Sequence, residues 1–254
     1  MRTLRVRWVG DDSAHGLMRV AALADVHGNA SALAAVLEEV ERERPDLVVF
    51  CGDLTWGSLP QETLALVRAM EIPARFVRGN ADRAVGSDLE GRGEWMAAAH
   101  SADDLVFLGG FEQTVIVGVD GLGPTCFAHG SPRSDEECVT RRTPDERVRE
   151  FSEGIAASVF VTAHTHMQFD RRAAGLRLVN PGSVGLPYET VPAAYWALLG
   201  PDVELRRTQY DVEAAIARMR ATDDPRVEVI VELLTNPPRQ DEIIEAAERR
   251  VFAG

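Results

Sequence analysis

Short apolar runs alternate with amphipathic segments through the first eighty residues of the chain. Apolar runs at 19–24, 47–51 and 75–77 predict three buried strands. Between the first two runs, apolar residues within 33–40 recur at the i, i+3, i+4 and i+7 spacing of a helix face. A second helix is predicted at about 61–70. This strand–helix order is typical of a parallel sheet covered by helices.

The pattern is less regular in the middle of the chain. The stretch TPDE at 143–146 matches a capping box with Pro144 at the first helical position, and it predicts a helix to about Ser152. Other short apolar segments predict strands, the last four of them as two hairpins, at 106–108, 114–119, 125–128, 159–162, 169–172, 176–179, 194–199 and 203–207. We therefore expect an α/β (α+β) fold that holds two sheets.

Both ends of the chain differ from its centre. Residues 1–17 have neither helical nor strand periodicity, so we expect a disordered extension before a domain that spans 18–210. Three helical patterns follow Asp211, which can cap the first of them, and they end near residues 221, 234 and 251. We expect residues 211–254 to form a helical appendage packed on the same domain.

The composition narrows the range of partners. The 254 residues include 27 basic and 40 acidic side chains, which gives a net charge of −13. Binding to long nucleic acid relies on basic surfaces, so it is not expected. No apolar run approaches the roughly 20 residues needed to cross a membrane. Three cysteines without metal-binding spacing and the absence of a signal-peptide pattern indicate a reducing, cytoplasmic location.

Polar clusters follow six of the predicted strands, where parallel sheets bind ligands. Four of the six histidines of the chain lie in these clusters. The clusters are Asp25-x-His27, Gly52-Asp53, Gly79-Asn80, His129-Gly130, His164-x-His166 and Asn180-Pro-Gly-Ser.

The spacing within the clusters suits metal ions. Residues i and i+2 of an extended chain point to the same face, so Asp25 and His27 can bind one ion together. His164 and His166 can do the same from another strand. The carboxylate of Asp53 has two oxygens with which to bridge two ions. Oxygen and imidazole ligands suit Mn²⁺, Fe, Ni²⁺ or Zn²⁺.

The ordered series DVHGN, CGD, RGNAD, AHGSPR, AHTH and NPGSVG, between about residues 19 and 185, resembles the calcineurin-like metallophosphoesterase superfamily. It is most similar to the small bacterial and archaeal phosphodiesterase branch, which includes diadenosine-tetraphosphate-hydrolase-like members. The resemblance implies a two-sheet β-sandwich flanked by helices. It also implies two divalent ions, with Mn²⁺ as the first choice.

The resemblance implies a ligand set for each ion. One ion would be held by Asp25, His27, Asp53 and His166. The other would be held by Asp53, Asn80, His129 and His164, with Asp53 shared.

The implied activity is hydrolysis of a small phosphodiester or nucleotide polyphosphate by a hydroxide that bridges the two ions. Two alternatives stay open. One is a phosphomonoesterase, which includes phosphoprotein phosphatases. The other is a catalytically silent scaffold with the same fold. The helices after residue 211 could cover the site or make a dimer contact, so a monomer and a homodimer both stay open.

The residues assigned to catalysis are Asp53, Asn80, His129 and Asp82. Many relatives have His after the GN motif, whereas this chain has Ala81, followed by Asp82. We expect Asp82 either to orient a metal ligand or to pair with Arg83. The missing His suggests a substrate with a good leaving group, or acid help from water.

Two further residues have a binding and a structural interpretation. Asn29 could contact phosphate or cap the helix that follows it. Ser31 could provide the helix cap instead. Arg133 could bind a substrate phosphate or pair with Asp135 or Glu136. The remaining expectations are structural. His100 is expected to have a structural role, Cys51 and Cys126 to lie in the core, and residues 180–185 to form a tight turn beneath the metal site, whereas His15 has no assigned role.

Overall fold

The computed structural model describes residues 17–85 and 91–250. Its strands, in chain order, are β1 (Val20–Leu23), β2 (Leu47–Cys51), β3 (Ala74–Val77), β4 (Thr114–Val119), β5 (Gly123–Ala128), β6 (Val159–Val161), β7 (Phe169–Ala173), β8 (Leu176–Asn180), β9 (Ala194–Leu199) and β10 (Val203–Thr208). Its helices are α1 (Ala30–Glu43), α2 (Pro60–Ala69), α3 (Asn80–Arg83), α4 (Gly93–Ala98), α5 (Ala102–Gly109), α6 (Asp145–Ser152), α7 (Val212–Arg220), α8 (Val227–Thr235) and α9 (Gln240–Arg249).

The strands form two sheets of five within the described residues. The first sheet has the order β10-β9-β1-β2-β3, in which β1, β2 and β3 are parallel. The second has the order β4-β5-β6-β8-β7, in which β5, β6 and β8 are parallel. Both predicted hairpins, β7–β8 and β9–β10, are present. The expected two-sheet α/β fold is therefore confirmed.

The alternation of side chains along β1 shows how the layers are held together. Val20 and Ala22 point between the two sheets and pack in one core cluster with Phe127 of β5. Ala21 and Leu23 point the other way and pack in a second cluster that contains Leu33 of α1. Since both faces of the strand are buried, its sequence is a continuous apolar run without polar alternation.

The strand predicted at 106–108 is wrong, because these residues belong to α5. Ser101 caps this helix: its hydroxyl accepts a hydrogen bond from the N–H of Asp104, whose carboxylate accepts one from the N–H of Ser101. Val106 is 76% exposed, so the apolar run is not a buried strand. A short apolar run cannot by itself separate strand from helix.

The capping box predicted at 143–146 is also wrong, although α6 ends at Ser152 as expected. The hydroxyl of Thr143 accepts a hydrogen bond from the N–H of Thr140 and donates one to Glu248 of α9. With the hydroxyl engaged outside the helix, Pro144 is the N-cap residue and provides no side-chain hydrogen bond.

The three predicted C-terminal helices are present and pack on the rest of the chain. Asp211 caps α7 by accepting a hydrogen bond from the N–H of Ala214. Helix α7 contacts α1, and α9 contacts the segment before α6 through Glu248. Residues 1–16, which include His15, lie outside the described residues, so the disorder expected there stays a prediction. In the part of the chain that is described, no helix is long and apolar enough to cross a membrane.

Candidate functional site

The loops that follow β1 and β2 run side by side at one edge of the sandwich. The backbone N–H groups of Asp25, His27 and Gly28 donate hydrogen bonds to the carbonyls of Gly52, Asp53 and Leu54, respectively. These bonds extend the pairing of the two strands past their ends. They place the DVHGN and CGD motifs next to each other.

Glycines let this loop lie tightly against its neighbours. A Cβ atom on Gly57 would stand 1.7 Å from the carbonyl oxygen of His27, and one on Gly185 would stand 1.7 Å from that of Val26. Both distances are far below van der Waals contact, so a larger residue cannot occupy either position without moving the backbone.

One candidate metal site consists of Asp25, His27 and His166. The Nε2 atoms of His27 and His166 are 3.2 Å apart, and His166 Nε2 is 3.4 Å from Asp25 Oδ1. Asp25 is fully buried, and its Oδ1 has no hydrogen-bond partner among the described residues. A buried carboxylate oxygen without a donor needs a positive charge nearby.

The second candidate metal site consists of Asp53, His129 and His164. His129 Nε2 is 3.2 Å from His164 Nδ1 and 3.5 Å from Asp53 Oδ2. The side-chain oxygen of Asn80, the first residue of α3, lies 3.0 Å from the same His129 nitrogen. The predicted amide oxygen is therefore at this site.

Asp53 lies between the two candidate sites. Its Oδ2 is 3.6 Å from His27 Nε2 of the first site and 3.5 Å from His129 Nε2 of the second. Its Oδ1 accepts a hydrogen bond from the N–H of Ala81, which fixes the orientation of the carboxylate. One carboxylate is thus positioned to serve both sites.

Backbone carbonyls orient three of the four histidines. The Nδ1–H groups of His27, His129 and His166 are 3.1, 2.8 and 2.6 Å from the carbonyl oxygens of Trp56, Cys51 and Leu186, respectively. Donation from Nδ1 leaves the Nε2 atoms to face the candidate sites. This is the arrangement that second-sphere hydrogen bonds give to metal-binding histidines.

The four imidazoles differ in their affinity for protons. Burial opposes protonation of His129, yet Asp53 raises its pKa to about 10, whereas burial and the charge of His129 lower the pKa of His164 to about 4. In the first site, burial likewise opposes protonation of His166, but Asp25 raises its pKa, and burial lowers the pKa of His27. In each site one of the two facing imidazoles can thus hold a proton while the other stays neutral, and a divalent cation that binds there must replace that proton. The donor sets therefore fit metal ions.

The turn at residues 180–185 supports the site from below, as expected. The amide of Asn180 donates to the carbonyl of Ala163 and to the hydroxyl of Thr165, which lies between the two histidines of the AHTH motif. The hydroxyl of Ser183 donates to the carbonyl of Asp25. The turn therefore links the motif loops of the two sheets.

Asp82 supports Asp53, and it does not pair with Arg83. Its carboxylate accepts hydrogen bonds from the backbone N–H groups of Asp53, Leu54 and Gly79 at 2.8, 2.9 and 2.8 Å. Burial, followed by the charge of Asp53, raises the pKa of Asp82 to about 7. Asp82 is 6% exposed. Its contacts with the backbone of Asp53 favour the first of its two expected roles, the orientation of a candidate metal ligand.

We expect Asp82→Asn to weaken both folding and any activity of the site. The amide nitrogen would face a backbone N–H, so the free energy of unfolding at pH 8 should fall by about 1–3 kcal/mol in urea titrations. Turnover should fall by about tenfold or more, as it does when groups that orient metal ligands are lost. Asp135→Asn, which removes a partner of Arg83, is the control. Equal effects of the two substitutions would contradict the positioning role.

The i, i+2 argument for the ligand pairs is wrong in its geometry. Asp25, His27, His164 and His166 have φ angles of 51°, 48°, 63° and 57°, so they lie in turns and not in extended strands. His164 and His166 consequently face different sites. The grouping implied by the resemblance, in which these two histidines belong to different ions, matches the arrangement found.

Asn29 caps α1, which corrects its assignment as a substrate contact. Its side-chain oxygen accepts a hydrogen bond from the N–H of Ala32. Its amide nitrogen donates to the carbonyl of Gly185 and to the hydroxyl of Tyr210. Both amide hydrogens are in use, and the residue is 1% exposed, so none remains for a phosphate.

Arg133 does not pair with Asp135 or Glu136, so that interpretation is wrong, whereas its binding of a substrate phosphate stays a prediction. Its guanidinium forms a two-pronged ion pair with the fully buried carboxylate of Glu137, with both N–O distances at 2.8 Å. Asp135 and Glu136, the expected partners, bind Arg83. Glu137 is the more effective partner because its burial increases the benefit of the ion pair.

The structural predictions for His100, Cys51 and Cys126 are confirmed. His100 is buried, with its ring nitrogens near the carbonyl of Met96 and the hydroxyl of Thr55. Cys51 and Cys126 are buried and are not joined in disulfides.

A cavity of about 230 Å³ adjoins the two candidate sites, and it includes residues that the sequence did not point to. Of the C-terminal helices, α8 contributes to its wall, in agreement with the expectation that these helices could cover the site. Its lining consists of His27, Asp53, Trp56, Asn80, Ala81, Arg92, His164, His166, Leu186, Tyr188, Arg226, Val229, Ile230 and Leu233. Arg92 and the α8 residues lie far from the motifs in sequence, so no local signal marks them.

Two packed sheets with paired histidine–aspartate sites at their strand ends define a class of metal-binding α/β sandwich proteins. A family model for the calcineurin-like phosphoesterase superfamily domain matches residues 18–200. The chain belongs to this superfamily.

Individual relatives are distant in sequence. The chain is 24% identical over 229 residues to an uncharacterised protein of Methanocaldococcus jannaschii. The aligned region covers 79% of this chain and 91% of that protein. A metallophosphoesterase from Sphaerobacter thermophilus matches with a TM-score of 0.71 at 25% identity, over 88% of this chain and 100% of the other. A hypothetical protein from Pyrococcus horikoshii matches with a TM-score of 0.73 at 19% identity, over 87% of this chain and 99% of the other. At this identity the match shows that the two proteins share a fold.

Proposed function

We propose that this protein is a metal-dependent phosphoesterase that hydrolyses small phosphodiesters or nucleotide polyphosphates. The observation that carries the proposal is the position of Asp53, whose Oδ2 is almost equally far from His27 Nε2 and His129 Nε2, at 3.6 and 3.5 Å. A carboxylate shared by two histidine sites can serve as a common ligand for a pair of divalent ions, as a two-metal hydrolase uses them.

The residues that would hold the ions are those of the two candidate sites together with Asn80. When bound, two divalent ions activate a water for attack and stabilise the charge that develops on the phosphoryl oxygens. Four positive charges exceed the two negative charges of Asp25 and Asp53, so the site would attract phosphate on a protein whose net charge is −13. Mn²⁺ is our first choice, ahead of Fe, Ni²⁺ and Zn²⁺.

Residues of the chain supply orientation and enclosure. Asp82 fixes the backbone of Asp53, and the carbonyls of Trp56, Cys51 and Leu186 fix three imidazoles. The cavity of about 230 Å³ suits a small substrate, and the acidic charge of the chain opposes a long polyanion. Both sites have a complete set of donors, which supports an active hydrolase over a silent scaffold.

We expect protein reconstituted with Mn²⁺ to hydrolyse bis(p-nitrophenyl) phosphate faster than p-nitrophenyl phosphate, and EDTA to abolish the reaction. The release of p-nitrophenolate measures both rates, and re-addition of Mn²⁺ after EDTA is the control. Faster hydrolysis of the monoester would favour a phosphomonoesterase. No hydrolysis of any member of a broad phosphoester panel, with Mn²⁺, Fe²⁺, Ni²⁺ or Zn²⁺, would favour the scaffold.

A further inference from the structure

Helix α8 forms a wall of the cavity next to the candidate metal sites. The residues of α8 and its N-cap that line the cavity are spaced i, i+3, i+4 and i+7, so they form one stripe along the helix. They are Arg226, Val229, Ile230 and Leu233. The adjacent side of the helix packs into a core cluster through Val231 and Leu234, and Ile230 of the stripe belongs to the same cluster, which keeps the stripe in place.

Within the apolar part of this stripe, Ile230 is 7% exposed and Leu233 is partly buried against the core cluster, so Val229 is the open position. Val229 is 42% exposed although it lines a cavity. Two aromatic residues line the same cavity: Tyr188 stacks on His166 with ring centroids 4.7 Å apart, and Trp56 is 4% exposed with an indole Nε1–H that has no partner in the described chain. Exposed apolar surface beside a charged site suits a ligand that has an apolar part.

Arg226, at the beginning of the stripe, contributes a positive charge. Its side chain is exposed and forms no ion pair with a carboxylate of the described residues, whereas Arg92 in the same cavity is bound to Asp224. A guanidinium at the edge of such a cavity is available to a phosphate oxygen.

We propose that α8 selects phosphoesters whose phosphate carries an apolar, planar organic group. The organic group packs on Val229 and Leu233, and Arg226 binds the phosphate charge. This inference rests on the proposed function, since it assigns the substrate class of the same site.

Two substrates with the same leaving group test the selection: phenyl p-nitrophenyl phosphate and methyl p-nitrophenyl phosphate. We expect the Mn²⁺-loaded protein to prefer the phenyl ester by roughly tenfold in kcat/KM, since an apolar group of this size in a fitting pocket gives at least that factor. Val229→Ser should lose most of this preference. Val106→Ser, at the exposed apolar position of α5, should retain it.

Binding of phosphonates provides a second measurement that does not depend on turnover. By calorimetry, phenylphosphonate should bind roughly tenfold more tightly than methylphosphonate. Val229→Ser should weaken the binding of phenylphosphonate and leave that of methylphosphonate unchanged. Arg226→Gln should weaken the binding of both phosphonates.

The outcomes separate this inference from the proposed function. Unchanged ester preference and unchanged phosphonate affinities in Val229→Ser would overturn the role of α8 while leaving the hydrolase intact. If neither ester is cleaved, the proposed function fails, and discrimination between the phosphonates that is lost in Val229→Ser would still support α8 as the binding wall.

Discussion

Replacement of Asp53 by Asn should reduce kcat/KM for bis(p-nitrophenyl) phosphate by at least about 100-fold, because it weakens the hold on the ions that would stabilise the charge of the transition state. Asn retains the shape of the side chain but loses the negative charge that both candidate sites share. It can also turn an NH₂ group towards His27 and His129, whose Nε2 atoms are 3.6 and 3.5 Å from Asp53 Oδ2. Manganese stoichiometry, measured by calorimetry on the same samples, should fall with the activity.

Asp104→Asn is the matched control for this substitution. Asp104 is 1% exposed, like a site residue, but it caps α5 and binds Arg68. The Asp104→Asn protein should be less stable but should retain the kcat/KM and the manganese stoichiometry of the unmodified protein. Turnover of Asp53→Asn at the level of the unmodified protein would mean that Asp53 does not hold the ions.

Asp224→Ala should destabilise the fold by about 3–5 kcal/mol, because it leaves a buried guanidinium without its counter-charge. The side chains of Arg92 and Asp224 are 2% and 0% exposed, and the hydroxyl of Ser58 donates a further hydrogen bond to the same carboxylate at 2.6 Å. These contacts connect the segment between α7 and α8 to the loop after β2. Urea titration measures the loss.

Glu228→Ala is the control for the loss of an ion pair near the beginning of α8. Glu228 pairs with Arg220, but these side chains are 66% and 51% exposed, so solvent screens the pair and its removal should cost much less stability than Asp224→Ala. Replacing both buried partners, as Arg92→Met with Asp224→Leu, should restore much of the stability. Equal costs for Asp224→Ala and Glu228→Ala would show that burial does not strengthen this pair.

The elements that sequence pattern predicted best are those with a single strong signal. The apolar run at 47–51 coincides with β2, and the helical spacing of 33–40 lies within α1. The run at 106–108 failed because Ser101, five residues earlier, caps a helix and the apolar side chains lie partly in solvent. Local pattern shows which residues are apolar, but not whether the rest of the chain covers them.

The residues of the candidate site were predictable, whereas the way they meet was not. Each motif follows a strand end, which brings them to one edge of the sandwich. Their left-handed backbone angles, such as 55° for Asp53, depend on hydrogen bonds between loops that are distant in sequence. The side-chain partners of Asn29 and Arg133 show the same limit, since Tyr210 and the buried Glu137 lie outside any pattern that would point to them.

The close contacts of Gly57 and Gly185 give the two sides of the site unequal freedom to evolve. A Cβ atom at either glycine would stand 1.7 Å from a carbonyl oxygen of the DVHGN loop. These two positions therefore accept no other residue without a shift of the backbone. Val229, at 42% exposure, can be exchanged without disturbing any neighbour's backbone. If α8 selects the substrate as we propose, substitutions along this one helix can alter substrate preference while the loops of the candidate metal sites stay unchanged.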